Sequence, residues 1–426
     1  MTAPGPRAPS SRRALFALYT ADAVSLTGNV MTLTAVPWFV LQTTGSASKT
    51  GLIAFFNFAP IVLASFLGGA LVDRLGPRRM SVTADVVSGV TVAMIPLLHL
   101  TGHLSFPALI ALVFLGALLD TPGLSARSAM LPNLAAKAGW PLERATGIVA
   151  TVERGSRLAG APLAGLLIAT TGPIAVLWID AATFAFSAVL LAAAVPAEVR
   201  APRDKTSRYL AEIKEGLAFL RGDRLMNALA KLIMVTNFLD AWTGVMLVVY
   251  ANAVYGSAVS LGLLIGATGA GSMVGAIAFA RRGNRLPRRI LFAVCFMAVT
   301  VRYPALALFP PEAILILVGF LAGIASGPIN PLLDTMMYER IPVALRGRVL
   351  SALHGVAWMA MPLGVLAAGF ALDNASLRVN ATVVGAAYFV ATASIWFSRA
   401  MRRMDERPTT LSESAEPPDA TSLAAS

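Results

Sequence analysis

Apolar segments long enough to cross a lipid bilayer recur along the whole chain, and they restrict it to membrane folds. A helix needs about 20 residues to span the ~30 Å hydrocarbon core. Hydrophobic residues make up 57% of the sequence and charged residues 13%, against roughly 25% charged in a soluble domain. We identify twelve spans, near residues 14–40, 47–72, 80–101, 106–130, 144–170, 173–196, 226–252, 259–280, 289–308, 313–337, 349–372 and 379–400. The sequence therefore predicts an all-α membrane protein.

Basic residues report the orientation of these spans. The formal charge of +12 would suggest nucleic acid in a soluble protein. Here the Lys and Arg residues occupy alternate connections, and the other connections hold only Lys49 and Arg378. By the positive-inside rule, both termini are predicted to be cytoplasmic. Residues 1–13 lack the short apolar region and cleavage site of a signal peptide, so we expect a cytoplasmic segment followed by a retained first helix.

The chain divides into two six-helix halves, residues 14–196 and 226–400. The connecting segment, residues 197–225, repeats apolar residues at helical spacing, which favours an amphipathic helix on the cytoplasmic surface. A calmodulin-like target or a nucleic-acid patch is a weaker alternative for this segment. The tail, residues 401–426, is rich in Ser, Thr, Pro and acids and is expected to be disordered.

The fifth spans of the two halves resemble each other and suggest internal duplication. Each contains a proline followed closely by a glycine, which disturbs helix hydrogen bonding and allows close packing. Paired interruptions of this kind point to a transporter's cavity and moving parts. The predicted hinge residues are Gly160, Pro162, Gly165, Pro362 and Gly364. For the glycines of the eighth span, Gly262, Gly266, Gly271 and Gly275, simple helix packing is the preferred interpretation.

The most specific motif lies between the second and third spans. Its residues are Gly69, Asp73, Arg74, Gly76, Arg78 and Arg79. Asp73 can place its charge at the positive N-terminus of a neighbouring helix, and Gly76 permits a tight turn. Arginines that only determine topology would explain the basic residues but not the Gly/Asp/Gly spacing. A degenerate copy follows the eighth span, with Phe279 in place of the acid.

This motif closely resembles the loop signature of the major facilitator superfamily. Shorter segments around Ser25–Asn29, Thr44–Ser46, Leu131–Leu134 and Asp180–Phe184 resemble its macrolide-efflux and siderophore-exporter branch. The resemblance implies two pseudo-symmetric six-helix halves, a cavity lined by helices 1, 4, 7 and 10, and a loop that latches the halves through helix 11. It also implies proton-coupled efflux of a drug or natural product by a monomer. The fourth span lacks the intramembrane arginine of the family's better-known drug/proton antiporters.

No enzymatic, metal or cofactor motif is found. Cys295 has no partner for a disulfide, and His99, His103 and His354 are dispersed. A Walker A motif and a G-x-S-x-G motif are both absent from the sequence. We therefore expect no cofactor, and a transport step driven by a gradient of ions, with protons as the coupling ion.

Acids within the spans are costly and are functional candidates. Asp240, Asp22 and Asp120 are predicted as proton-coupling or cation-recognition sites, while Asp85 and Asp180, nearer span ends, are interpreted as structural. Glu153 and Arg157 are spaced for an ion pair on one helix. The predicted polar and aromatic cavity residues are Tyr19, Asn29, Asn237, Trp242, Asn330, Asp334, His354, Trp358 and Met361. Core packing is an alternative role for the aromatic ones.

Such a cavity suits a bulky amphipathic or cationic substrate, because apolar walls tolerate varied shapes while a carboxylate selects charge. Two other functions remain open from the sequence. One is import of a nutrient by the same fold, and the other is a membrane sensor or scaffold without transport activity.

Overall fold

The computed structural model describes residues 9–196, 209–282, 287–342 and 345–406, and within these ranges all regular structure is helical. Side chains are described at these positions except residues 9–11, 61–71, 73, 209–213 and 282. The first part of the predicted linker, residues 197–208, therefore lies outside the described residues. So does most of the predicted tail, residues 407–426.

The N-terminal half contains six long helices. They are α1 (Pro9–Thr44), α2 (Ala47–Leu75), α3 (Pro77–Leu100), α4 (Phe106–Ala138), α5 (Leu142–Thr171) and α6 (Pro173–Ala194). Local sequence sets several boundaries: Ser46 caps α2 by accepting from the amide of Lys49, and Ser105 caps α4 by accepting from that of Ala108. Between α2 and α3, Gly76 has a φ of 82°, which glycine adopts without strain.

The C-terminal half follows a short connecting helix. The helices are α7 (Tyr209–Gly222), α8 (Arg224–Tyr250), α9 (Ala258–Arg282), α10 (Arg288–Thr300), α11 (Arg302–Leu308), α12 (Glu312–Ser326), α13 (Ile329–Arg340), α14 (Arg346–Asn374), α15 (Leu377–Phe397) and α16 (Arg399–Arg402). A single π-helical turn, Ala251–Tyr255, extends α8. Two predicted spans are each divided in two: α10 and α11 join at Val301, and α12 and α13 join at Gly327 and Pro328.

Ten helical segments within the described ranges are long and apolar enough to cross a membrane. The other two long helices, α2 and α5, have 29 and 30 residues and pack among them. With α10–α11 and α12–α13 each counted as one span, the halves contain six spans each. The predicted all-α membrane fold is confirmed, and the chain is a multi-pass membrane protein.

Successive spans run in opposite directions, so the basic connections lie together on one side. We call this the basic side; it holds the start of α1, the α2–α3, α4–α5 and α9–α10 connections, α7 and the end of α15. The other side is called the opposite side. The helix α7 packs on the start of α14, where Glu215 lies 2.6 Å from Arg348.

The two halves meet closely at the opposite side. A Cβ added at Gly51 of α2 would lie 2.5 Å from the carbonyl oxygen of Val365 and 2.8 Å from the Cα of Gly369, both in α14. In the same way, a Cβ at Gly165 of α5 would lie 2.5 Å from the carbonyl oxygen of Ala258 in α9. At both crossings the backbones are in direct contact, which only glycine allows.

Asp373, near the end of α14, reinforces the first crossing. Its carboxylate accepts hydrogen bonds from the amides of Ala47 and Ser48, at 2.7 and 2.9 Å, and from the hydroxyl of Ser46 at 2.9 Å. The acid of one half thus caps the N-terminus of a helix in the other half. These contacts hold the opposite side closed.

Candidate functional site

The halves separate toward the basic side. A Cβ added at Gly155 of α5 or at Gly355 of α14 would meet no heavy atom within 4 Å. Near them, Glu153, Arg157 and His354 are exposed. Charged groups near the middle of a membrane helix must face water rather than lipid. The structure therefore has a central space that is open to the basic side and closed at the opposite side.

A buried charge network occupies the N-terminal half beside this space. Arg127 of α4 lies 2.7 Å from Asp22 of α1 and 2.5 Å from Asp85 of α3, and all three are at most 5% exposed. The guanidinium also donates to three serine hydroxyls, each at 3.0 Å: Ser25, Ser81 and Ser187. Ser187 in turn donates to Asp85 at 2.7 Å. The network ties α1, α3, α4 and α6 together.

This network changes the predicted role of Asp22. Asp22 is predicted as a proton-coupling or cation-recognition site, and the structure places it in a buried ion pair with Arg127. The fourth span thus contains a buried arginine, which the sequence does not indicate because Arg127 lies close to the predicted end of that span, where arginine usually marks topology. The presence of two unpaired aspartates on neighbouring spans is the signal that could have identified it.

Asp120 of α4 has a different environment. Its carboxylate accepts from Asn29 of α1 at 3.2 Å and from Ser88 of α3 at 2.9 Å, and the residue is partly exposed. Among the described side chains, no cation lies within ion-pair distance of it. Two neutral donors orient the carboxylate without neutralising it, so it can take up a proton or face a cationic ligand.

Asp180 of α6 is fully buried against α1. It accepts from Thr32 at 2.5 Å and from Thr183 at 3.0 Å. A Cβ added at Gly28 would lie 2.2 Å from a carboxylate oxygen of Asp180, so the glycine makes room for the acid. These contacts agree with a structural role, although the residue lies inside the helix rather than near a polar end.

In the C-terminal half, Asp240 of α8 forms an ion pair with Arg302, the first residue of α11. Arg302 also donates to the hydroxyl of Tyr303 at 2.8 Å, and that hydroxyl lies 3.1 Å from the hydroxyl of Thr243. Asp240 is predicted as a proton-coupling or cation-recognition site, and the structure gives it a cation partner. The residues around Asp240 in the sequence do not indicate this partner, because Arg302 comes from another span, more than sixty positions along the chain.

Several predicted cavity residues serve packing instead. Tyr19 is buried between α1 and α5, where its hydroxyl donates to the carbonyl of Ala145 at 3.3 Å. Trp242 and Met361 pack together where α2, α8 and α14 meet. The ring of Tyr19, buried at a helix crossing, gains more from this contact than from water. The prediction that Tyr19 faces the central space is therefore wrong, whereas Trp242 and Met361 remain partly exposed.

Other predicted residues are partly or fully accessible. Asn237 donates to the carbonyl of Ala357 at 3.0 Å across the α8–α14 contact. The accessible group near the basic side comprises Asn330, Asp334, His354 and Trp358. This group can line the entrance on the basic side.

The predicted loop motif is described only in part. The side chains of Gly69 and Asp73 lie outside the described residues, so the contact of Asp73 with α14 remains a prediction. Arg78 donates to the carbonyl of Ala192 at the end of α6, while Arg74 and Arg79 are exposed. Arg78 thus forms this hydrogen bond within the N-terminal half.

The predicted hinge residues lie at helix crossings. Gly160 packs against Val30 of α1, Gly165 against α9, and Gly364 against the carbonyl of Phe238 in α8. The helices α5 and α14 continue through Pro162 and Pro362. In the eighth span, Gly271 and Gly275 pack against α12, as the packing interpretation predicts.

The predicted ion pair between Glu153 and Arg157 is not formed among the described contacts, and both side chains are exposed. In water-facing positions such a pair gains little over separate hydration. The two side chains therefore contribute charge to the central space separately.

Comparison with known proteins agrees with this architecture. The family model of the Major Facilitator Superfamily matches residues 18–301 and 232–424. The chain is 32% identical over 378 residues to the multidrug efflux pump Tap of Mycobacterium tuberculosis, covering 87% of this chain and 90% of that protein. It is 22% identical to macrolide efflux protein A of Streptococcus pyogenes over 84% of this chain and 89% of that protein.

Solved structures share the fold at low sequence identity. The nucleoside transporter NupG superposes with a TM-score of 0.75 at 11% identity, covering 90% of this chain and 98% of that one. A D-xylose-proton symporter superposes with a TM-score of 0.65 at 16% identity, covering 91% and 96%. From its matched family model, its relatives and its fold, the chain belongs to the major facilitator superfamily of membrane transporters, which are not enzymes.

Proposed function

We propose that the chain is a secondary active transporter that exports a bulky cationic or amphipathic compound across the cytoplasmic membrane in exchange for protons. The observation that carries the proposal is Asp120, a partly exposed carboxylate with neutral donors and no described cation partner. An acid in this environment can bind a proton in one state and release it in another. The relatives named as multidrug and macrolide efflux proteins support export.

The arrangement of the halves fits alternating access. The space open to the basic side would admit substrate from the cytoplasm, and closure at the opposite side keeps this space from opening to both sides at once. Protonation of Asp120 would remove a charge from the space when no substrate cation is present, which allows the halves to close over it. The predicted latch between Asp73 and α14 would stabilise the state that is closed on the basic side.

Transport by everted membrane vesicles tests this function. Everted vesicles expose the basic side to the medium, so they should accumulate the cationic dye ethidium when respiration makes their interior acidic. A protonophore should abolish the accumulation, and vesicles with an empty expression plasmid provide the control. Accumulation that persists with the protonophore would contradict proton coupling. Accumulation only by right-side-out vesicles would favour the importer instead.

The proposed orientation has an independent test by cysteine labelling. In a variant in which the buried Cys295 is replaced by alanine, Lys214→Cys in α7 and Thr101→Cys at the end of α3 lie on opposite sides. An impermeant maleimide should label Thr101→Cys in intact cells and Lys214→Cys only after the membrane is opened, because both termini are proposed to be cytoplasmic. The reverse pattern would overturn the orientation.

A further inference from the structure

The ion pair of Asp240 and Arg302 lies where the ninth span is interrupted. The helix α10 ends at Thr300 and α11 begins at Arg302, with a turn at Val301 between them. Both residues lie at about the same depth, some 21–24 Å from the basic ends of their helices at 1.5 Å per residue. Charged residues at this depth of a membrane protein are rare and are candidates for ligand or ion sites.

The two charges are not equally accessible. The side chain of Asp240 is 41% exposed, while that of Arg302 is 18% exposed. One turn further along α8, a Cβ added at Gly244 would meet no heavy atom within 4 Å, so the space beside Asp240 is open. A carboxylate does not face lipid without a large cost, and its free side therefore faces the central space. A ligand can reach Asp240 without displacing the protein backbone.

We propose that Asp240 recognises the cationic group of the substrate and that Arg302 is its internal competitor. In the empty site Arg302 neutralises Asp240. A ligand with a delocalised or quaternary positive charge replaces the guanidinium at the exposed face of the carboxylate. This inference rests on the proposed transport function and names the substrate class as organic cations.

Arg302 has other partners when it leaves Asp240. Its guanidinium lies 4.8 Å from the ring centre of Tyr303 and 5.6 Å from that of Tyr388, and it donates to the Tyr303 hydroxyl. Aromatic faces and a hydroxyl stabilise a cation that has lost its carboxylate. The exchange therefore leaves neither charge without a partner.

The surrounding charges favour a cation over an anion. The interior of the N-terminal half contains Asp22, Asp85, Asp120 and Asp180 with Arg127 as the one described buried cation among them. Beside Asp240 the described neighbours of the pair are the phenol rings of Tyr303 and Tyr388, and Arg302 itself is the cation of the pair. A cation beside Asp240 is attracted to the exposed face of its carboxylate, and an anion is repelled.

Equilibrium binding of tritiated tetraphenylphosphonium to the purified full-length protein tests the exchange. Asp240→Asn should weaken binding by about tenfold or more, and Arg302→Gln should strengthen it by about tenfold, because the competitor is gone. The double variant Asp240→Asn with Arg302→Gln should bind like Asp240→Asn alone, because Arg302 acts only through Asp240. A merely structural arginine would instead weaken binding when it is removed.

The binding experiment still tests the proposal if one of the single variants does not fold. The double variant removes both charges and leaves no unpaired buried ion, so it should fold as judged by size-exclusion chromatography. The proposal is overturned if wild-type protein does not bind tetraphenylphosphonium, if Asp240→Asn binds it normally, or if Arg302→Gln binds it no better. Binding needs no gradient, so failure of proton-driven ethidium uptake with these binding results intact would reject the coupling scheme alone.

Discussion

Replacing Arg127 with methionine is expected to destabilise the N-terminal half strongly. The change leaves Asp22 and Asp85 facing each other in a buried place without their shared cation. Removing one partner of a buried ion pair typically costs about 3–5 kcal/mol. The melting transition of the purified protein, followed by fluorescence-detected size exclusion, should shift to a clearly lower temperature.

Two control variants distinguish the loss of the buried charge pairing from the loss of an arginine side chain. Arg157→Met removes an exposed arginine from α5 and should leave the transition nearly unchanged. A triple variant, Asp22→Asn, Asp85→Asn and Arg127→Met, removes all three charges and should recover much of the lost stability. If the Arg127→Met variant melts at the same temperature as the wild-type protein, the network does not hold these helices together.

Replacing Asp120 with asparagine is expected to abolish proton-driven transport while exchange of substrate across the membrane continues. The amide keeps the shape of the side chain and can still accept from Ser88, but it has no titrating proton. Uptake of ethidium by everted vesicles should therefore fall to the rate seen with a protonophore. Counterflow of unlabelled against labelled substrate, measured without a gradient, should persist because it requires no net proton cycle.

Asp334→Asn is the matched control, because Asp334 lies on the corresponding span of the other half but is exposed near the basic end. It should retain gradient-driven uptake. If Asp120→Asn still concentrates ethidium and Asp334→Asn does not, the proton site lies in the C-terminal half and the proposed role of Asp120 is lost.

Sequence patterns predicted the spans well because the physics is local. An apolar segment and its flanking turn residues determine where a membrane helix begins and ends, and Ser105, Gly76 and Pro77 mark such boundaries in this chain. The divisions at Val301 and at Gly327–Pro328 were missed, since a hydropathy pattern continues across a short break in helix hydrogen bonding.

The candidate site was only partly predictable for a complementary reason. Asp120, Asp240 and Asn29 stand out because polar residues within spans are rare and expensive. Their partners come from other helices, and spacing along one helix carries no information about which helices touch. Spacing therefore does not identify Arg127 and Arg302 as the partners of Asp22 and Asp240. Tyr19 was misplaced because a ring suits a helix crossing as well as a binding cavity.

The glycine crossings at the opposite side have a consequence for leakage. Where Gly51 meets Gly369 and Gly165 meets Gly262, backbone touches backbone, and no side chain can rotate aside to open a narrow gap. Asp373 occupies the amides at the start of α2 that would otherwise bind water. If a contact at these crossings opened partly, a continuous file of water could pass through it. A contact between two backbones is instead either intact or fully separated. In the proposed proton-coupled cycle, such a seal would keep protons from running down their gradient between transport cycles.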